Sequence, residues 1–225
     1  MSKYLFVFFS TIIFSVNAFS QGTSATEFEI GERSGLLPSV KLGANLFSKA
    51  SLEGVPADVN SLILPQNVVQ FSGGFGADYF FGKNLGIFTF VDYNQRTYSF
   101  LGLIKASASY LDVPFGFSLN WGRLLDLYTS RTTSRVGGYL ALPMTDFEFD
   151  QQSSMLLFGR DKINTPLIIA RTYPGVYLET ETLFAVSRNL SPGLSIWGKM
   201  PLASSTQNVD SYFYEMGLGL KVGFF

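Results

Sequence analysis

Cysteine and histidine are both absent from the sequence. Without cysteine the chain can hold neither a disulfide framework nor a thiolate metal site, nor a lipid anchor attached through an N-terminal cysteine. Without histidine it lacks the commonest general base and the commonest transition-metal ligand, so most hydrolase mechanisms are closed to it and neither cofactor nor metal is expected. Charge is scarce as well: 15% of residues are charged, 16 Lys and Arg against 17 Asp and Glu. That balance carries no basic stripe for phosphate contacts, so nucleic acid is not an expected partner. Beyond residue 20 no stretch approaches the roughly 18 consecutive apolar residues of a membrane-spanning helix.

What the chain has instead is apolar content without long apolar runs. Of its 225 residues 47% are hydrophobic and 16% aromatic, with 23 Phe and 11 Tyr. This is too apolar for disorder and high in aromatics for a surface that meets only water. The opening MSKYLFVFFSTIIFSVNAFSQ sets Lys3 before an apolar run over residues 4–16, then the small residues Ala18 and Ser20. That is the plan of a cleaved secretory signal over residues 1–20. Its removal takes away one Lys and no acid, leaving 15 bases against 17 acids, a net charge of −2.

After the signal, apolar residues recur with a period of two. In the last segment Tyr212, Tyr214, Met216, Leu218, Leu220, Val222 and Phe224 fall on one side of an extended chain, and Phe213, Glu215, Gly217, Gly219, Lys221 and Gly223 on the other. The same pattern predicts strands over 40–46, 71–81, 85–96, 111–121, 176–186 and 194–200. A further strand within 127–142 has a blurred period, because TSRTTSR (129–135) is polar on both sides, and a bulge is expected there. Pro114 stands mid-strand, withholds a ladder hydrogen bond, and suggests another bulge. Eight strands result. Short connections at 82–84, 121–124 and 187–193 alternate with longer ones at 48–66, 143–166 and 202–209, a brief one near Gly102 apart, as periplasmic turns and extracellular loops do in outer-membrane barrels.

Alternation alone does not separate a membrane barrel from a soluble one with its apolar face turned inward. The second face does. Glycine is a poor strand former in water, yet Gly217, Gly219 and Gly223 stand beside Glu215 and Lys221, as small residues would in a narrow interior. Asp78, Asp92, Asp112, Glu179, Glu181 and Glu215 share that face with Lys41, Arg96, Lys199 and Lys221, which predicts a lumen charge network. An unpaired amide in hydrocarbon costs several kcal/mol, so every strand must pair and the last must close on the first. The expected fold is all-β: an eight-stranded antiparallel up-and-down transmembrane β-barrel over 38–225, preceded by a short periplasmic segment, 21–37. It is expected in the outer membrane, with outer-membrane lipid around it. Phe224 and Phe225 end the last wall strand and are the expected signal to the barrel assembly machinery during biogenesis; strict alternation puts Phe224 on the lipid face.

YLDVPFGFSL (110–119) resembles the Tyr-Leu-Glu-Ile-Pro strand of the PorT-like outer-membrane β-barrels of Gram-negative bacteria, and GKNLG and SRNLSPG resemble their periplasmic turns. The resemblance covers most of 38–225, with Asp112 standing where the family has Glu. It implies an eight-stranded barrel with no established enzymatic role, and suggests an accessory part in protein export or envelope assembly.

Glu179 and Glu181 lie roughly 7 Å apart by strand rise, a spacing at which two carboxylates can share acid and base work; lumen ion pairing is the simpler use. Gly73, Gly74 and Gly76 look like a phosphate loop, but no helix pattern follows them. Arg96 with Asp92, and Arg131 with Arg135, could line a small ion or solute pore, or neutralise lumen acids and close it. The loop 143–166 carries Asp146, Glu148 and Asp150 with Phe147 and Phe149, open to divalent cations or to an extracellular or envelope protein partner, though a solvated loop is simplest. The expectation is a non-enzymatic protein with a largely closed lumen and recognition through its loops.

Overall fold

The computed structural model describes residues 35–52, 70–101, 103–121, 130–159, 168–184, 190–207 and 210–224; the signal segment and Phe225 lie outside them. Among these are the strands β1 (Gly35–Leu52), β2 (Gln70–Phe80), β3 (Leu85–Phe100), β4 (Ile104–Asn120), β5 (Ser130–Pro143), β6 (Glu148–Phe149), β7 (Tyr173–Phe184), β8 (Leu190–Pro201) and β9 (Ser211–Phe224), with the helix α1 (Gln151–Phe158) after β6. Leaving β6 aside, each strand pairs antiparallel with the next, and β9 returns to β1 from Ser39↔Gly223 to Leu52↔Ser211. The wall is an eight-stranded up-and-down ring without an edge, the condition hydrocarbon imposes on a sheet. β6 adds two rungs to β4 above the end of β5, Ala106↔Phe149 and Ser107↔Glu148.

The period of two becomes inside and outside. Leu42, Phe75, Phe117, Leu178, Tyr214 and Leu218 are exposed on the outer face, while Lys41, Asp92, Glu179, Glu215 and Lys221 are buried in the bore. On β3 the outward residues are apolar or small over 85–93, in register with Leu119 down to Leu111 of β4. That length matches the roughly 9–11 residues a tilted strand needs to cross a bilayer. Farther along, the outward positions turn polar: Gln95 and Thr97 face Ser109 and Ser107, and the Thr97 and Ser107 hydroxyls are 2.8 Å apart. The hairpin therefore runs past the apolar belt into water.

Several expectations are corrected. β5 keeps one register from Asn120↔Thr133 to Tyr110↔Pro143 and from Ser130↔Phe184 to Ala141↔Tyr173, so it has no bulge. Its period is blurred because the outward hydroxyls of Thr132 and Ser134 bond across to Thr182 and Thr180 of β7 at 3.2 and 3.1 Å, which lets a polar group face apolar surroundings. Pro114 makes no bulge either. The register is the same at Thr89↔Phe115 and Asp92↔Asp112, and only the rungs to β3 at Val113 and Pro114 are missing. A register shift does occur in β1, between Asn45 and Phe47. Boundaries also move: residues 35–37 belong to β1, β4 starts at Ile104, and Ser191, Pro192 and Gly193, read as turn, lie in β8. Nothing in the period of two announced α1. Asp150 caps it by accepting from the Ser153 amide at 2.8 Å, and Gly159 ends it at φ 65° with its N–H on the Met155 carbonyl.

Candidate functional site

Two rungs set like charges directly opposite one another, Lys41↔Lys221 and Asp92↔Asp112, an arrangement that repels unless each member finds a partner elsewhere. Each finds it across the bore. Lys41 donates to Asp92 at 2.9 Å and stands 4.0 Å from Glu179. Lys221 meets Glu181 at 2.6 Å and Glu179 at 3.9 Å. Nearer the β3–β4 hairpin tip, Asp112 accepts from Arg96 at 2.8 Å and Lys199 at 2.6 Å, and Arg96 also reaches Glu215 at 2.9 Å. Arg135 reaches Asp78 at 2.6 Å, Glu179 at 3.2 Å and Glu181 at 2.5 Å. Burying charge is unfavourable unless geometry and further hydrogen bonds compensate. Ser118 supplies one to Asp78 at 2.5 Å, Tyr177 one to Glu179 at 3.0 Å, and Asn94 one to Asp112 at 2.9 Å.

The structure thus buries all ten lumen charges read from sequence in one interior and gives them their partners. Arg96 turns to Asp112 and Glu215, and Asp92, named with it as a possible pore-lining residue, goes to Lys41. Glu179 and Glu181 converge on Arg135, so neither is a free acid or base. Gly74 and Gly76 are strand glycines of β2: a Cβ on Gly76 would lie 2.6 Å from Phe90 Cα, and one on Gly74 2.8 Å from Asp92 Cα. Phe224 is exposed, in a register unbroken from Lys199↔Glu215 to Leu190↔Phe224.

Sequence reasoning missed how far aromatic rings fill the same space. Trp197 of β8 reaches across β9 to β1 and lies on glycines of both. A Cβ on Gly43 would stand 2.5 Å from its Cη2, one on Gly219 2.9 Å from Cζ3, and one on Gly217 would overlap the indole. Its Nε1 donates to Asn45 Oδ1 at 3.1 Å, and the Lys41 ammonium sits 4.6 Å from the ring centre. Lys221 lies 4.1 Å over Phe90, and the Arg96 guanidinium 4.5 Å over Tyr110, contacts favourable for a desolvated cation.

The segment after β5 is not simply solvated. Phe147, 1% exposed, enters the mouth of the barrel, 4.8 Å from the Tyr98 ring and stacked at 5.8 Å and 8° on Phe213. Its amide bonds to the Ile168 carbonyl at 3.2 Å, and Asp146 accepts from the Ala170 amide at 2.9 Å. From the other side, the Tyr98 hydroxyl donates to Ser211 and the Tyr110 hydroxyl to the Ser205 carbonyl. Asp146 and Asp150 therefore serve the loop's own backbone, and among the described residues no group of three or more acids is placed to hold a metal ion.

A closed ring of eight antiparallel strands, apolar outside and filled with ion pairs and rings inside, is a membrane-type β-barrel. No known protein family matches the chain, and no curated protein is similar to it. Among solved structures it is similar to the outer membrane protein OprG from Pseudomonas aeruginosa, at 12% identity over 85% of this chain and 97% of that one, TM-score 0.49. It is also similar to Neisserial surface protein A, at 16% identity, 84% and 97% coverage and TM-score 0.46. Ail, the attachment invasion locus protein of Yersinia pestis, shows 14% identity, 84% and 99% coverage and TM-score 0.42. The likeness is architectural, and no role passes through it.

Proposed function

We propose that this is a non-enzymatic integral protein of the outer membrane, with a lumen too full to conduct and recognition carried by the loops. The observation that supports this most is the filling of the bore, from the Arg135 cluster through the Trp197 and Arg96 layers to Phe147 at the mouth. An eight-stranded interior is only wide enough for side chains to fill, and the charges that would select ions in a pore are, Arg131 apart, engaged with one another. Around it lies outer-membrane lipid. Export by the segment 1–20 and assembly through a terminal signal at Phe224 and Phe225 complete the reading. At the loop end Leu101, Leu103, Met155, Leu156 and Leu157 are exposed, apolar surface suited to an extracellular or envelope protein partner. The resemblance of 110–119 to the PorT-like strand favours a process in protein export or envelope assembly, to be checked by co-purification with a translocation complex. The deciding experiment is reconstitution of the full chain in planar bilayers, where no conductance steps are expected. Steps whose size changes on charge reversal at Arg96 or Glu179 would replace this reading with a small pore.

A further inference from the structure

Among the described residues every lumen acid has a base within 4.0 Å, and every lumen base except Arg131 has an acid. Arg131 enters from the start of β5, at the end of the barrel where residues 81–84 turn tightly between β2 and β3. It is 1% exposed. Phe80 closes one face of the guanidinium, 4.0 Å from ring centre to Cζ, while Nη1 and Nη2 have no acceptor. Arg131 lines a cavity of about 10 Å³, together with Leu37, Pro38, Leu183 and Gly223, enough for about one water-sized species. Ser39 lines it too, and its hydroxyl is likewise buried without a partner. Asp78 and Glu181 border the cavity, but Arg135 holds both, Ser118 also bonds the first, and Lys221 the second.

We infer that this cavity binds one small monovalent anion of halide size, held by Arg131 Nη1 and Nη2 and the Ser39 hydroxyl. Of the polar groups left over here the guanidinium can only donate and the hydroxyl can donate, so an acceptor between them would serve both. A buried guanidinium without one bears its full desolvation cost; an anion supplies acceptor and opposing charge together, where water supplies only the acceptor. The wall sets the selectivity. Leu37, Pro38 and Leu183 favour a weakly hydrated ion such as bromide or chloride. The small volume, with the carboxylates of Asp78 and Glu181 beside it, excludes sulfate and phosphate. The inference does not depend on whether the barrel conducts.

The test uses the full chain. Crystals soaked in bromide should show an anomalous peak within hydrogen-bonding distance of the Arg131 guanidinium and Ser39 Oγ, absent from Arg131→Met. In detergent micelles, chloride-35 resonance broadening should titrate with the wild-type protein and resist competition by sulfate. It should weaken about tenfold or more in Arg131→Met, as expected for loss of charge-assisted hydrogen bonds, and less in Ser39→Ala, which keeps the cation. Heat-modifiable gel mobility reports whether Arg131→Met still folds; if it does not, wild-type occupancy and the Ser39→Ala titration decide. Ordered water in place of bromide, broadening unchanged by either substitution, or a bromide peak with no titratable broadening would each overturn the assignment.

Discussion

At the scale of single residues, Arg135 carries the heaviest electrostatic duty. Its guanidinium reaches three carboxylates from two strands, a task suited to a planar fork and not to the point charge of lysine. Arg135→Met would leave Asp78 without an ion-pair partner and Glu181 with Lys221 alone. The expected loss is about 3–5 kcal/mol, the usual cost of breaking a buried pair from one side. It should appear as a lowered midpoint of urea unfolding in lipid vesicles, with Arg135→Lys intermediate. A change below about 1 kcal/mol, as for exposed pairs, would mean that water screens the cluster.

Among the elements, the seam between β1 and β9 is the place where a meander becomes a ring, and Trp197 lies over it. The indole fits because Gly43, Gly217 and Gly219 leave its bed open. Gly217→Val should therefore reduce the fraction of protein that reaches the compact, heat-modifiable form. Trp197→Ala in the same chain should restore that fraction by emptying the space. If the second substitution brings no recovery, the glycine is required for a reason other than the ring.

For the whole molecule, closure turns Tyr214, Leu218 and Val222 outward and Glu215 and Lys221 to the bore. An arginine at Leu218 should cost about 2–4 kcal/mol if that level is the bilayer midplane, and less toward either interface. Spin labels at Tyr214 and Leu218 should be relaxed by lipid-soluble oxygen, and labels at Glu215 and Lys221 shielded from it. The reverse pattern would describe a soluble barrel with an apolar interior.

Strands and their faces were legible because a period of two is a local property: each residue's side follows from its neighbours, and only lipid tolerates the apolar side on an exterior of this extent. The charged set was legible for the same reason. The helix α1 was not legible, because eight residues inside a loop show no period of two and its caps, Asp150 and Gly159, are seen only in the structure. Partnerships were not legible. Asp92 and Arg96 are four residues apart on one strand, roughly 13 Å by strand rise, whereas the β3–β4 hairpin brings Asp112, and ring closure brings Glu215, into contact with Arg96. The bed of Trp197, the stopper Phe147 and the unpaired Arg131 likewise join segments distant in the chain, and curvature of the closed wall chose them. Alternation assigns a side chain to a face; only the tertiary ring decides which faces meet.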